Sequence, residues 1–354
     1  MIVHEVQKSC SEIREGILEC TKCHNLWTIV DGIPRFISPG SCDLEKDYEF
    51  AARNKDTLNA IEVELHQRLL EKLKSISGLS DHEDYYWNRE EMIFWETEYE
   101  RRLRYDDENA MTYNRIIPRN DYVITPLREA EICTVLEIGC GTCGTLHKLN
   151  DFLSGKTLVG TDLSFNALRA ARKFVSGNFV MCEATKLPFK PGMFDLLLSF
   201  GVLHHLEMRQ DALETLYQKV KEGGYLAFTE KLKSSIDFKK YKFLNWIKRL
   251  FGPKRHRSEE GDHEEYIDPI EALRICRKHG DVIVSRYEYS AIRVLLMKLI
   301  VEKLGLTGKS VTRLIIRLDL FMIDYFGRFG PLFEGTGLIA TTQKSVDKNI
   351  NDDV

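Results

Sequence analysis

Between residues 134 and 230, short apolar runs alternate with amphipathic stretches. The runs at 135–138, 158–161, 178–182, 195–200 and 225–229 predict strands. The one at 195–200 is nearly all apolar, as expected of a strand covered on both faces. Apolar spacing near 3.6 predicts helices over 146–152, 163–175 and 211–220, with Ser164 placed to cap the second. Glu222-Gly223-Gly224 reads as a turn before the last of these strands. Alternation of this kind forces parallel pairing with right-handed crossovers, so the predicted fold is α/β with a doubly wound, mostly parallel, seven-stranded sheet. A helix over 267–279, a strand over 282–289, two apolar-rich helices over 292–304 and 311–326, and a strand over 337–342 complete the pattern. Upstream, Leu58, Ile61, Leu65, Leu69, Leu73 and Ile76 recur at helical spacing and predict one amphipathic helix, ended by Ser77-Gly78.

Four regions follow from this reading. Residues 1–40 form a small segment, 41–130 a helical extension or lid, and 131–345 the α/β domain. Insertions fall at about 231–265 and 291–335, and the tail 346–354 reads as disordered.

Chemistry concentrates after the first strand of the α/β domain. Val135-Leu136-Glu137-Ile138 runs straight into Gly139-Cys140-Gly141-Thr142-Cys143-Gly144, a Gly-x-Gly-x-x-Gly turn opening a helix. Glycine there permits unusual φ/ψ values and lets a ligand approach bare backbone. Dinucleotide enzymes use the same spacing, but an acid two residues before the first glycine suits a pyrophosphate poorly. It suits a cationic, phosphate-free ligand better. In an open parallel sheet, ligands sit beyond the carboxyl ends of the strands. Asp162 ends the second strand, Glu183 and Ala184 follow the third, and Ser199 to Gly201 end the fourth.

This set resembles motif I and the following segments of the class I S-adenosylmethionine-dependent methyltransferases. Cys182-Glu183-Ala184-Thr185-Lys186-Leu187-Pro188-Phe189, with Gly192-Met193-Phe194-Asp195 and Phe200-Gly201-Val202-Leu203-His204-His205-Leu206, is similar to the methyltransferase type 11 group. The resemblance spans about residues 133–230. It implies S-adenosylmethionine as cofactor. Gly139, Cys140, Gly141 and Gly144 would face its methionine part, Asp162 its ribose hydroxyls and Glu183 the adenine edge. Leu163 and Ala184 would pack on the ring, with Glu137, Ser199 and Gly201 completing the site. His204 and His205 are the candidate bases, since imidazole titrates near neutral pH; the alternative is that they only shape the loop. Cys140 and Cys143 read as small turn residues, with nothing nearby to activate a thiol.

The flanks say less. Cys20-Thr21-Lys22-Cys23 followed by Leu26 to Phe36 resembles the zinc-ribbon-like module that precedes some bacterial methyltransferases. A second Cys-x-x-Cys would complete a thiolate site, but upstream there are only Cys10 and His4. A metal-free, degenerate module is therefore expected, with Cys20 and Cys23 the residues to watch for zinc. Arg115, Arg119 and Tyr122, in an aromatic and basic stretch, are the candidate substrate contacts, because a guanidinium can clamp a carboxylate at two points. The basic, aromatic stretch 239–257 is expected to cap the site, with an anionic membrane surface or nucleic acid as alternatives.

Net charge of −4 gives no global case for nucleic acid. Nine scattered cysteines fit a reduced, cytoplasmic setting rather than a disulfide scaffold. No signal peptide and no membrane-spanning run is read, while peripheral membrane contact stays open. The expected activity is methyl transfer to a small-molecule or lipid-linked acceptor. RNA methylation, NAD-dependent oxidoreduction and a non-catalytic scaffold are the alternatives. The sequence leaves the acceptor and the oligomeric state open.

Overall fold

The computed structural model describes residues 1–9, 12–36, 44–77, 123–206, 209–231, 267–289, 317–318, 321, 325 and 336–345. They fall into two compact units. The first holds described residues from 1–114, 137–153 and 157–188; the second holds those from 115–136, 154–156 and 189–354.

In the first unit, β1 (Ile2–Ser9), β2 (Glu12–Glu19), β3 (Leu26–Val30) and β4 (Ile33–Phe36) form an antiparallel meander. Three helices follow: α1 (Glu45–Arg53), α2 (Lys55–Ile61) and α3 (Leu65–Ser77). The unit also holds the end of β5 (Thr134–Ile138), two short helices α4 (Gly144–Lys148) and α5 (Asn150–Leu153), β6 (Thr157–Asp162), α6 (Phe165–Phe174) and β7 (Asn178–Cys182). Its strand order is β1-β2-β3-β4-β7-β6-β5.

Residues 1–36 therefore do not stand apart, contrary to the segmentation read from the sequence. β4 pairs parallel with β7, Arg35 opposite Met181 and Phe36 opposite Cys182. A buried ion pair fixes the join. The Arg35 side chain is fully buried and Asp47 on α1 nearly so, with Nη2 donating to Oδ2 at 2.9 Å. Arg35 Nη1 also reaches Met181 Sδ at 3.2 Å, its guanidinium sits 4.8 Å from the Phe165 ring centroid, and Thr28 donates to Asp47. Such a pair is costly to break, because one partner is left charged and dry.

The single helix expected over 58–76 is two helices. Glu62 N–H bonds back to Leu58 O and closes α2, and Glu64 adopts a positive φ of 72° before α3 begins. Leu58, Leu65, Leu69, Leu73 and Ile76 are buried, whereas Ile61 is 39% exposed. The leucine spacing runs through the break because both helices bury the same side.

The second unit contains the start of β5, β8 (Phe194–Phe200), α7 (Arg209–Lys219), β9 (Val220–Lys231), α8 (Pro269–His279), β10 (Gly280–Tyr289) and β11 (Thr336–Lys344). Its strand order is β5-β8-β9-β11-β10. β8 and β9 are parallel, while β11 is antiparallel to both β9 and β10. The turn expected at 222–224 is instead an irregularity within β9: the register jumps from Phe194↔Val220 to Leu196↔Tyr225, with Gly223 at φ 73°. α8 starts on Asp268, whose carboxylate accepts from Ile270 N and Glu271 N, with Pro269 in its first turn. The expected Rossmann-like α/β class is the class observed. Four N-terminal strands extend the seven that were predicted, and an antiparallel pair ends the order. No helix among the described residues is long and apolar enough to cross a membrane.

Candidate functional site

The glycine turn follows β5 as the motif requires. After Thr134, β5 is apolar except for Glu137, which is itself buried. Gly139 and Gly141 take φ values of 57° and 53°, and Cys143 reaches 59° where it precedes α4. At the two glycines a Cβ would be strained whatever the space around it.

Asp162 braces this turn. Its Oδ2 accepts from Gly141 N and its Oδ1 from Ser164 N, both at 2.8 Å. One carboxylate thus ties the glycine turn to the start of α6. Ser164 caps that helix as expected, accepting from Ala167 N at 3.1 Å. Cys140 N donates to Thr161 O at 2.9 Å, a second tie between the turn and β6. Asp162 is half-buried.

Glu137 is the unusual group. It is 3% exposed, and its Oε2 is a buried atom with no hydrogen-bond partner. Burial pushes its carboxyl up to about 8, against a weaker opposing hydrogen bond from Thr145 and with the Asp162 charge adding to the rise. A buried carboxyl oxygen left unpaired costs free energy in a dry protein. A cationic group at the turn would satisfy it, so this donor set fits a sulfonium amino acid better than a phosphate.

Cys140 and Cys143 are buried, and burial pushes both thiols up. Neither is a nucleophile in this setting. Leu163 and Ala184 are half-buried. Glu183 is buried and its Oε2 meets Lys186 Nζ at 2.9 Å. The structure thus brings Glu137, Gly139, Cys140, Gly141 and Asp162 together within one unit.

Ser199, Gly201, His204 and His205 belong to the second unit. Ser199 is fully buried and its Oγ has no partner. Gly201 has a φ of 73°, and its N–H donates to Thr229 O at 2.8 Å. The residue that organises this end is Glu230, which the sequence reading passed over. It is buried near the end of β9. Its Oε1 accepts from Val202 N and Leu203 N at 2.9 Å each, and its Oε2 accepts from His204 N at 3.3 Å. Oε2 also lies 2.8 Å from His204 Nδ1. A carboxylate is an acceptor only, so it selects the Nδ1–H tautomer and makes Nε2 the basic nitrogen. The His205 ring lies 4.0 Å from that of His204. An acid near the end of a core strand was the available signal, as it had been for Asp162.

Asp195, the acid of the Gly-x-x-Asp segment, is structural here. It accepts from Cys133 N, Thr134 N and Thr134 Oγ1, and pairs with Lys221 Nζ at 2.7 Å. Burial works to raise its carboxyl, but these partners win and hold it at about 2. Arg115, Arg119 and Tyr122 lie outside the described residues, as do Cys10 and the basic stretch 239–257. Cys23 is exposed and Cys20 half-buried, and both are free thiols. Backbone N–H groups of Cys23 and then Lys22 bring the Cys20 thiol down to about 7.

A glycine turn braced by an acid from the next strand, on a Rossmann-like sheet, defines a class I methyltransferase fold. Residues 136–228 match the family model described as a methyltransferase domain. This stretch is thus similar to the methyltransferase domains of the type 11 group. The chain is 32% identical over 123 residues to a tRNA (carboxymethyluridine(34)-5-O)-methyltransferase of Xenopus tropicalis, covering 34% of this chain and 19% of that one. It is 27% identical over 121 residues to a malonyl-[acyl-carrier protein] O-methyltransferase of Marinomonas sp., covering 33% and 44%. It is 35% identical over 130 residues to a ubiquinone/menaquinone biosynthesis C-methyltransferase of Xanthomonas axonopodis pv. citri, covering 34% and 49%. The chain spans about half or less of the length of each of these three relatives.

Proposed function

We propose that this chain binds S-adenosylmethionine at the glycine turn of its first unit and transfers the methyl group to a small-molecule or carrier-linked acceptor. The observation that carries the reading is the unpartnered, buried Glu137 Oε2 beside a positive-φ glycine turn braced by Asp162. The bare backbone of Gly139 and Gly141 admits the methionine part, and Glu137 receives its positive charge. Asp162, an acid at the end of β6, accepts from the ribose hydroxyls. Leu163 and Ala184 cover the adenine faces, and Glu183 with the Ala184 N–H addresses its edge.

The bound donor supplies a methyl group already activated by a positive sulfur. The chain's own work is to orient that group, exclude water and, where the acceptor must lose a proton, receive it. His204 Nε2 is the atom proposed for that proton, with Glu230 positioning the ring from the opposite nitrogen. The relatives named above act on a carrier-borne acid, a quinone precursor and a tRNA, and this supports an acceptor class no finer than the one stated. Glu137 speaks against a dinucleotide, whose pyrophosphate would meet a carboxyl at the turn.

Calorimetry of the full chain with S-adenosylmethionine tests the donor. Asp162→Ala should weaken binding by roughly 3–6 kcal/mol, two hydrogen bonds to a charged acceptor at about 1.5–3 kcal/mol each. A folded protein that takes up no S-adenosylmethionine would sink the reading. Incubation of the labelled donor with fractionated cell extract then tests the acceptor. Label in small molecules or carrier protein supports the proposal, and label confined to RNA replaces it with the RNA reading.

A further inference from the structure

The first unit carries a second cluster of ligand-type side chains that the methyl-transfer reading does not use. His4 lies on β1, Glu19 ends β2, and Glu62 follows α2 in the short break before α3. One donor atom from each falls within 4.8 Å of the others. We propose that His4, Glu19 and Glu62 form a site for a divalent transition-metal ion, zinc by donor type, which clips β1 and β2 to the α2–α3 break.

Distances support this. His4 Nε2 lies 2.9 Å from Glu19 Oε2 and 3.9 Å from Glu62 Oε2. Tetrahedral zinc with bonds of roughly 2.0–2.2 Å places its ligand atoms about 3.3–3.5 Å apart. These two separations bracket that value, and the cluster's overall spread of 4.8 Å means that the two carboxylates must draw together by about an ångström to close around an ion.

The surrounding contacts orient the carboxylates. Arg68 on α3 donates to Oε1 of both glutamates, at 2.7 Å to Glu19 and 2.6 Å to Glu62. His24 Nδ1 adds a contact to Glu19 Oε1 at 2.9 Å. Each glutamate therefore has its Oε1 held from behind, and each turns its Oε2 toward His4. This is the arrangement in which outer partners fix the direction of metal ligands.

Charge and burial agree. Glu19 is buried, with its carboxylate between His4, His24 and Arg68. Two carboxylates against one guanidinium leave a net negative charge for a cation. Imidazole and carboxylate together suit zinc, and three protein ligands leave a coordination position for water. β1 also has need of an anchor: among Ile2–Ser9 only His4 and Val6 are even half-buried, and Ile2 and Val3 are 45% and 42% exposed. The site is distinct from the Cys20–Cys23 pair, so the two readings can be separated.

The test uses the full chain, stripped with chelator and titrated with Zn²⁺, and with Co²⁺ as an optical probe. Zn²⁺ should bind and raise the melting temperature. His4→Ala and Glu62→Gln should each weaken binding by at least about tenfold to 100-fold, since even outer-shell changes reach that size. Cys20→Ser/Cys23→Ser should bind as tightly as the parent, and the Co²⁺ spectrum should lack a thiolate charge-transfer band. Glu62 is 41% exposed at its side chain, so Glu62→Gln carries the test if His4→Ala fails to fold. A thiolate band lost in Cys20→Ser/Cys23→Ser would overturn the proposal, as would equal Zn²⁺ affinity in the parent and Glu62→Gln.

Discussion

Substituting Glu137 by glutamine keeps the shape of the side chain beside the glycine turn and removes its ability to ionise. In the ligand-free protein, burial holds this carboxyl at about 8, so near neutral pH it is mostly protonated. A cationic donor favours the ionised form, and binding should then release a proton. A charge-assisted contact is worth about 1.5–3 kcal/mol, equal to roughly ten- to 150-fold in affinity. By linkage, the ratio of parent to Glu137→Gln affinity should sit near one in mild acid. It should climb by up to about tenfold per pH unit and level off above the ligand-free value of about 8. The donor's own amino group titrates in the same range. The variant shares that contribution, so the ratio and not the bare affinity is the observable. Stability should move the other way. A carboxyl raised from 4.5 to about 8 on folding contributes stability below its unfolded value and loses it as pH rises through the folded one. Glu137→Gln should therefore gain on the parent in alkaline solution without ligand. Calorimetric titration across this range, with thermal melts of both proteins, is the assay. A ratio that stays flat with pH would refute the reasoning, because it would mean that no proton leaves Glu137 when the donor arrives.

Two other outcomes are expected. Asp47→Ala should cost about 3–5 kcal/mol in urea unfolding by leaving the Arg35 guanidinium buried and unpaired, and Arg35→Met/Asp47→Leu should recover most of it; a loss below about 1 kcal/mol would place the pair in contact with water. Nitrogen NMR of the ligand-free chain should find a proton on His204 Nδ1, and a bare Nδ1 would remove Glu230 from the positioning role.

The α/β core was legible because each of its signals is local. Strand apolarity, the glycine turn and the Ser164 cap lie within a few residues of what they organise, and Asp162 is marked by its place at a strand end. Glu230 also lies near a strand end, but the groups it organises, Val202 N to His204 N, are 26 to 28 residues upstream and nothing local announces them. The break at Glu62–Glu64 was hidden because Leu58 and Leu65 face the same interior. Arg35 reads as a surface residue in sequence, and nothing near it announces Asp47 or Met181. Side chains that meet only after the chain has folded leave no periodic trace. The same holds for His4, Glu19 and Glu62, which come from three separate elements. Glu137 shows both sides of this: its position was plain from the motif, while its raised carboxyl depends on burial that only coordinates reveal.

The Arg35–Asp47 pair also bears on how β4 finds its place. Strand faces alternate, so a slip of one position against β7 would turn Arg35 to the opposite side and carry Asp47 no nearer to any guanidinium. Both charges would then be stranded in a dry interior, a penalty far larger than the few backbone bonds so short a strand can offer. The pair thus proofreads alignment, admitting a single registration of the N-terminal meander and rejecting its near neighbours.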